Sequence, residues 1–449
     1  MTLSELKNKK IAVLGSGVNN RSLIEYLKKQ DIDVEIFDKW ENPEELIGKI
    51  EGFDIVFRTP GLPFLSKPIQ QALSRGVVIS SQTKLFFDLC PAKIVGVTGT
   101  KGKGTTASLI SKILGEAAFR QAQGRKVYLA GNIGQDPFAF LDKVKPSDWV
   151  VLELSSFQLQ DLHKSPHVAV VLKITPEHLD HHKDFEEYLL AKKQIVRHQG
   201  TSDMAVLNYD LETVRAFAGA TPAQIIWNSN VSEVKPGCFV ENEKIVLQDG
   251  SGATPILPVS EVQLLGQFNL ENVTASIAAA YACGVREFEA IRQTVKDFQG
   301  LPHRLEFVAE IKGVKFYNDS FSTTPETAIA AISAFDSPLV LIVGGSEKNA
   351  DYHELARVIA QSKIAALVPI GITGPKIANF AREAGYDGRI IDKKFEDMEE
   401  VVREANLAAS IDEIVLLSPA SASFDMFTNY KQRGELFTKF VKNLDGKQN

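Results

Sequence analysis

The sequence predicts an α/β protein divided into three domains, and three observations carry that expectation. Short apolar runs of strand length alternate with helix-period patterns over most of the chain. The length of 449 residues exceeds what one hydrophobic core usually holds and suits about three domains. The stretch Gly99-Thr100-Lys101-Gly102-Lys103-Gly104-Thr105-Thr106 lies between an apolar run and a helical pattern, as a loop on a strand-to-helix turn does.

Composition bounds the function. With 44% hydrophobic and 24% charged residues the chain reads as an ordinary globular protein, and a net charge of -6 supplies no basic footprint for nucleic acid. Lys-rich pieces such as Lys7-Asn8-Lys9-Lys10 are short and solvated. No stretch reaches the roughly 18 uninterrupted apolar residues of a membrane span, and the first residues lack the apolar segment of a leader, so a cytoplasmic protein with no membrane partner is expected. Cys90, Cys238 and Cys283 are too few for a disulfide framework or a zinc site and read as small buried hydrophobes.

Residues 1–92 form the first unit, a Rossmann-like parallel sheet with strands expected at 11–14, 34–37, 54–57 and 77–79. Its first turn, Gly15-Ser16-Gly17-Val18-Asn19-Asn20, follows a strand and precedes a helix over 23–29, and Asp38 closes the next strand. This is nearly the dinucleotide fingerprint, with Asn20 in place of the third glycine. A nicotinamide cofactor, a nucleotide or a sugar-nucleotide diphosphate would use the same backbone N–H groups. The rigid turn Thr59-Pro60-Gly61-Leu62-Pro63 ends the third strand at the same carboxyl edge, where open α/β sheets bind ligands.

Residues 93–299 form the second unit, a P-loop domain with a parallel sheet. Its Gly-rich turn joins a buried strand at 92–97 to a helix at 106–114, so backbone N–H groups and the helix N-terminus favour an anion and Lys103 can reach terminal phosphates. Gly104 stands where the common P-loop puts a Mg²⁺-binding hydroxyl, with Thr105 and Thr106 just after it. Glu153 lies inside a strand at 149–154 suited to full burial, where a carboxylate needs a partner, and this makes it a candidate Mg²⁺ ligand. Glu177-His178-Leu179-Asp180-His181-His182 holds three of the eight histidines; one serving a metal beside Glu153, with the other two solvated, is the economical reading. An amphipathic helix at 185–196 carries Lys192 and Lys193, one of which is expected to point inward, although the pattern alone assigns neither a role. A hairpin at 234–246 precedes helices at 272–281 and 287–298.

Residues 300–449 form the third unit, again Rossmann-like, opened by Gly300-Leu301-Pro302-His303-Arg304. Strands are expected at 314–317, 339–343, 365–369 and 414–417, with a final amphipathic helix at 432–444. Loops at the strand carboxyl ends are rich in small and polar residues: Asn318-Asp319-Ser320, Gly344-Gly345-Ser346-Glu347-Lys348 and Ser418-Pro419-Ala420-Ser421-Ala422-Ser423.

In order and spacing, this set of motifs resembles the Mur ligases over essentially the whole chain. It adds Gly131-Asn132-Ile133-Gly134, Leu152-Glu153-Leu154-Ser155-Ser156-Phe157-Gln158-Leu159 and Ala191-Lys192 to the loops above. The resemblance implies an ATP-dependent, ADP-forming acid–amino-acid ligase of peptidoglycan precursor synthesis. Its first domain would hold the UDP part of the substrate, its middle domain ATP and its last domain the incoming amino acid. The substrates implied are UDP-MurNAc-L-alanine and glutamate, D-glutamate by the nearest resemblance, with ATP and two Mg²⁺ ions, and the protein is expected to be a monomer.

Residue by residue, the resemblance makes Lys103 the phosphate-binding lysine, Glu153 and His178 Mg²⁺ ligands, and Lys192 the site of a carbamylated lysine that holds a second Mg²⁺. The metal hydroxyl then falls to Thr105. Gly15, Ser16, Gly17, Asp38, Thr59, Pro60 and Gly61 would serve the UDP moiety, and Asn132, Ser155 and Gln158 the muramoyl-alanine part. Gly99 to Thr106 with Asn269, Asn272, Arg304 and Asp319 would bind ATP, while Thr323, Lys348, Ser423 and Phe424 would hold glutamate.

The chain departs from the family pattern at Phe321, where a lysine is usual, at Phe268, at Gln82-Thr83-Lys84, and at Asn20. The first of these leaves the choice of amino acid open. Folylpolyglutamate-type ligases share a glycine at the Gly104 position but lack the unit at 1–92. An NAD-dependent oxidoreductase is disfavoured by the triphosphate loop and the missing third glycine.

Overall fold

The computed structural model describes residues 1–121, 124–179 and 181–446. They contain three separate sheets, as the three-domain α/β reading expects. The first has β1 (Ile11–Leu14), β2 (Glu35–Phe37), β3 (Ile55–Arg58) and β4 (Val78–Ser81) in the order β2-β1-β3-β4, all parallel. β1 and β3 are buried at every residue, which is what continuous apolar runs in a doubly covered parallel sheet require.

The second sheet contains β5 (Lys93–Thr98), β6 (Val127–Gly131), β7 (Trp149–Glu153), β8 (Val168–Val171), β9 (Met204–Asn208), β10 (Gln224–Ser229), β11 (Gly237–Glu241), β12 (Lys244–Asp249) and β13 (Gly252–Pro258). Its order is β13-β12-β11-β10-β9-β8-β5-β7-β6, parallel as far as β11, with β12 and β13 added antiparallel at one end. β5 lies between β7 and β8, so the strand that ends in Glu153 and the strand that leads to His178 flank the one that feeds the Gly-rich loop. All three carboxyl ends open on one edge of the sheet.

The third sheet has β14 (Glu306–Ile311), β15 (Val314–Asn318), β16 (Leu339–Gly344), β17 (Ile364–Ile370), β18 (Arg389–Ile390) and β19 (Ile414–Leu417), in the order β14-β15-β19-β16-β17-β18. β14 and β15 form an antiparallel hairpin turned by Lys312 and Gly313, both at positive φ, while the other pairings are parallel.

The chain folds as two compact units, one comprising Met1–Val262 with Leu270–Asp297 and the other Gln263–Asn269 with Phe298–Asn449. Within the first, the N-terminal and central sheets share one core, in which Phe138 meets Tyr26 and Phe86 edge-on at ring separations of 5.1 and 6.1 Å. The second unit has its own cores on the two faces of the third sheet. Cys238 is buried as expected, whereas Cys90 and Cys283 are half-buried. Among the described residues no helix is long and apolar enough to cross a membrane.

Candidate active site

The Gly-rich turn is shaped by what surrounds it. Gly99, at φ 157°, presses on β8's end, where a Cβ would stand 2.7 Å from Leu172 Cβ. Gly102, at φ 82°, caps the helix Lys103–Arg120, and a Cβ there would stand 2.1 Å from Asn272 Oδ1. Asn272 therefore lies directly against the loop. Thr106 is fully buried and its hydroxyl donates to Asn272 Oδ1 at 3.3 Å, while Thr105 and Gly104 occupy the same buried first turn. Thr100 ties the loop to the segment after β8: its N–H donates to Lys173 O at 2.8 Å and its hydroxyl to Thr175 O at 2.9 Å. Lys101 pairs with Glu177.

Lys103 folds back on the loop, donating to Gly99 O at 3.0 Å and Thr100 O at 2.8 Å. Lys192, on the helix Phe185–Arg197, is the inward member of its pair. It is 1% exposed and donates to Gly99 O at 2.8 Å and Thr98 Oγ1 at 3.4 Å, with its nitrogen 4.6 Å from the Tyr188 ring centre. Burial first, and then the charge of Lys103, hold its amine well below the usual lysine value, opposed by Glu177 and Glu153.

Glu153 is buried at the end of β7 rather than at a solvated strand end. Gly131 makes this edge tight, since a Cβ on it would lie 2.3 Å from Glu153 O, and it delivers the exposed Asn132 beside the carboxylate strand. His178 is exposed, has left-handed backbone at φ 57°, and puts its ring 6.4 Å from that of Tyr188. Such a conformation in a non-glycine residue marks a constrained position. Asp180 of the same motif lies outside the described residues.

The expectation that the other two histidines are solvated does not hold. His182 is 1% exposed and bonds Ser156 Oγ at 2.9 Å and Glu187 Oε1 at 3.2 Å. Both ring nitrogens of His181 are buried without a hydrogen-bond partner among the described residues, against the Phe157 ring at 4.1 Å. Phe157 draws the loop inward, with rings of all three histidines within 5.5 Å of it.

A Mg²⁺ ion suits this donor set. Hard cations of this size take one or two carboxylates and fill their remaining positions with phosphate oxygens and water. Glu153 could supply the carboxylate and Thr105 a hydroxyl, while among the described residues no three His, Cys, Asp or Glu side chains converge into a self-sufficient cage. Lys192 could join the set only after acquiring a carboxylate-like group.

In the N-terminal sheet, Gly15 takes φ 85° and Ser16 donates both its N–H and its hydroxyl to Asp38. The Ser16 hydroxyl bond first, then its backbone bond, hold the exposed Asp38 carboxyl below its ordinary value. Asn20, 1% exposed, donates to Leu14 O at 3.1 Å and Gly15 O at 3.0 Å, closing the turn with hydrogen bonds where the fingerprint would use a glycine. A cavity of about 540 Å³ opens at Asp38, lined by Lys39, Trp40, Glu41, Glu45 and Lys49. The Thr59-Pro60-Gly61 turn is adjacent, since a Cβ on Gly15 would meet Thr59 Cβ at 3.8 Å. Gln82, one of the departures, donates to Asp136 at 3.0 Å and so braces the residue that caps the short 3-10 turn Pro137–Ala139.

Ser155 caps the short helix Ser156–Leu159 in a reciprocal box with Gln158, so these two candidate ligands hold each other in place directly after Glu153.

In the second unit, the loops after β15, β16 and β19 are laced together. Ser346 pairs with Ala422 and bonds Asp425, and Lys348 Nζ lies 5.7 Å from the Phe424 ring. Ser423 is buried in this lacing and Thr323 half-buried in the loop after Ser322. Asp319 accepts from Leu305 N–H at 3.2 Å and Ser418 Oγ at 2.8 Å, and burial lifts its carboxyl to about 7. Arg304, flanked by His303 and Leu305 at φ 64° and 47°, stacks 3.9 Å over the Phe321 ring. Phe321 thus carries the arginine instead of replacing a charge with nothing. Asn269 is buried and its amide donates to Leu265 O at 2.6 Å, while Phe268 is exposed.

Arg433 is a residue that sequence reasoning missed. Wholly buried, it donates to Ser320 Oγ and O at 2.9 and 2.8 Å and to Ser421 O at 3.1 Å, joining two candidate ligand loops, with its guanidinium pushed down to about 10 by burial. Its only sequence signal is a cation placed on the inner face of an amphipathic helix.

Residues 97–280 match the Mur ligase middle domain, and 303–421 match the family described as Mur ligase, glutamate ligase domain. The UDP-N-acetylmuramoylalanine--D-glutamate ligase of Acetivibrio thermocellus is 40% identical, covering 98% of this chain and 98% of the relative. The enzyme of the same name from Symbiobacterium thermophilum is 39% identical over 96% of this chain and 98% of its own length. Among solved structures, the MurF ligase of Thermotoga maritima in complex with ADP shares the fold at a TM-score of 0.58 and 16% identity, covering 99% of this chain and 97% of that one. By this likeness along its whole length, the chain belongs to the Mur ligase family.

Proposed function

We propose that this protein is an ATP-dependent, ADP-forming ligase that joins D-glutamate to UDP-MurNAc-L-alanine in peptidoglycan precursor synthesis. The full-length likeness to D-glutamate ligases carries the reading. The loop geometry supports it, above all the buried Lys192 that meets Lys103 at Gly99 and feels the charge of Glu153. The reading assigns 1–92 to the UDP-sugar, 93–299 to ATP and 300–449 to the amino acid, in a cytoplasmic monomer.

The substrate carboxylate attacks the γ-phosphorus of ATP and ADP leaves, giving an acyl phosphate. The glutamate amine then adds to the acyl carbon, and loss of phosphate and a proton leaves the amide. The protein's part is positioning and charge stabilisation. Lys103 would hold terminal phosphate oxygens, and Glu153, Thr105, His178 and Lys192, the last once carbamylated, would hold two Mg²⁺ ions, which would supply positive charge to balance that on the transferring group. The hydroxyl of Thr106 is engaged by Asn272, which supports Thr105 as the metal hydroxyl. Lys348 and Phe424, side by side, suit a carboxylate and the methylenes behind it.

The test offers UDP-MurNAc-L-alanine, ATP and a panel of amino acids, reading phosphate release and product mass. D-Glutamate should be the preferred acceptor. Turnover that does not need the UDP-sugar, or none with any amino acid, overturns the reading.

A further inference from the structure

Arg58 and Asp161 form a buried ion pair for which the proposed chemistry has no direct use. Arg58 is the last residue of β3, wholly buried, directly before the Thr59-Pro60-Gly61 turn. One guanidinium nitrogen donates to Leu62 O at 3.1 Å, holding that turn closed. The other donates to Phe157 O at 2.9 Å and pairs with Asp161, just beyond the helix Ser156–Leu159. The Asp161 side chain is 2% exposed and takes a second cation, Lys84, at 3.3 Å, and Lys84 also donates to Ile79 O at 2.9 Å.

A parallel path runs beside this clasp. Phe64 N–H donates to Gln160 Oε1 at 3.3 Å, and Gln160 Nε2 donates to Glu187 Oε1 at 2.9 Å. Glu187 meets His182, which bonds Ser156 at the start of the same helix. Both ends of the helix that carries Ser155 and Gln158 are therefore fastened, one of them to the turn at the carboxyl edge of the N-terminal sheet.

A buried pair of this kind costs desolvation and is poor value as a stabiliser alone, since apolar residues of similar volume often do as well. Its placement offers another use. We propose that the Arg58–Asp161–Lys84 clasp is a positioning device that makes occupation of the uridine-diphosphate turn fix the helix holding the muramoyl-alanine end, so that binding energy from the nucleotide is spent on placing the reacting carboxylate. Remote binding energy used in this way raises turnover as well as affinity. The proposal rests on the ligase reading and adds Arg58, Asp161 and Lys84 to it as positioning residues.

The experiment compares UDP-MurNAc-L-alanine with MurNAc-L-alanine 1-phosphate, which lacks the uridylyl group, at saturating ATP and D-glutamate. In the parent enzyme the truncated substrate should show a kcat about tenfold lower as well as a higher KM. Asp161→Asn, and the apolar double variant R58M/D161L, should lower kcat for the full substrate to near the truncated rate, leave the truncated rate within about twofold, and leave the KM for ATP unchanged. Asp161→Glu should restore most of the difference. Thermal unfolding identifies any variant that has lost its fold, and the double variant guards against the unpaired charges of the single one.

An equal fractional loss on both substrates, no loss on either, or a parent enzyme whose kcat ignores truncation overturns the clasp. A parent enzyme inactive on the full substrate instead overturns the ligase reading on which it rests.

Discussion

Lys103 and Lys192 converge on one oxygen: Gly99 O accepts from the first at 3.0 Å and from the second at 2.8 Å. Burial first, and the charge of Lys103 second, push the Lys192 amine well below the usual lysine value. An anion that draws Lys103 off the loop relieves the second effect. A lowered value eases the loss of the proton that reaction with carbon dioxide requires.

Lys192→Ala should lower kcat about a hundredfold or more, equivalent to ~3 kcal/mol of transition-state stabilisation. Acetate or formate at high concentration should restore part of the rate by supplying the missing carboxylate. Undiminished turnover removes Lys192 from the mechanism, and mass spectrometry of the intact protein reads the carbamate directly.

The two threonines at the start of the helix Lys103–Arg120 should separate in a Mg²⁺ titration. Thr105→Ala should raise the Mg²⁺ concentration needed for half-maximal rate, while Thr106→Ala, which loses the bond to Asn272, should leave that requirement unchanged and raise the KM for ATP. Normal Mg²⁺ dependence in Thr105→Ala would show that the register is wrong.

Asp319 should make stability depend on pH. Its native carboxyl titrates near 7 and its unfolded one near 4, so between these values the native state holds the extra proton and stability falls as pH rises, levelling off above about 7. Asp319→Asn should remove that slope and be more stable than the parent at pH 8 by a few kcal/mol. Its activity should be lower if the carboxylate serves the nucleotide. Denaturant unfolding at pH 5 and pH 8 checks the first half; a slope that persists in the variant assigns it elsewhere.

Phe321→Ala should cost about 1 kcal/mol through loss of the stack beneath Arg304, whereas Phe321→Tyr should be nearly neutral. The order of preference in the amino-acid panel should be the same in all three proteins. A changed order would return Phe321 to the selection of glutamate.

Much of this was legible because strand burial and phosphate loops write themselves locally. β1, β3, β5, β7, β8, β16 and β19 are continuous apolar runs, and Glu153 stood out as a charge inside one of them. β6, β9, β10, β13, β14 and β18 were not among the expected strands; β14 has only the short, mostly half-buried run Phe307-Val308-Ala309 and β18 only two residues. The burial of His181 and His182 was misjudged for a different reason: it depends on Phe157, more than twenty positions away in sequence, whose ring occupies the space the loop folds around. Arg433 and the Arg58–Asp161 pair are equally non-local, since a buried cation reads as a surface one until its acceptors, from other segments, are known.

The antiparallel addition of β12 and β13 bears on the life of this protein in a crowded solution. A nine-stranded sheet ending in a bare parallel strand would offer its edge as a template to any other extended chain. Here one edge strand is Gly252–Pro258, in which Pro255 and Pro258 have no N–H to donate. That edge ends in residues poorly suited to continue the sheet, and replacing both prolines should show as concentration-dependent aggregation well before any loss of turnover.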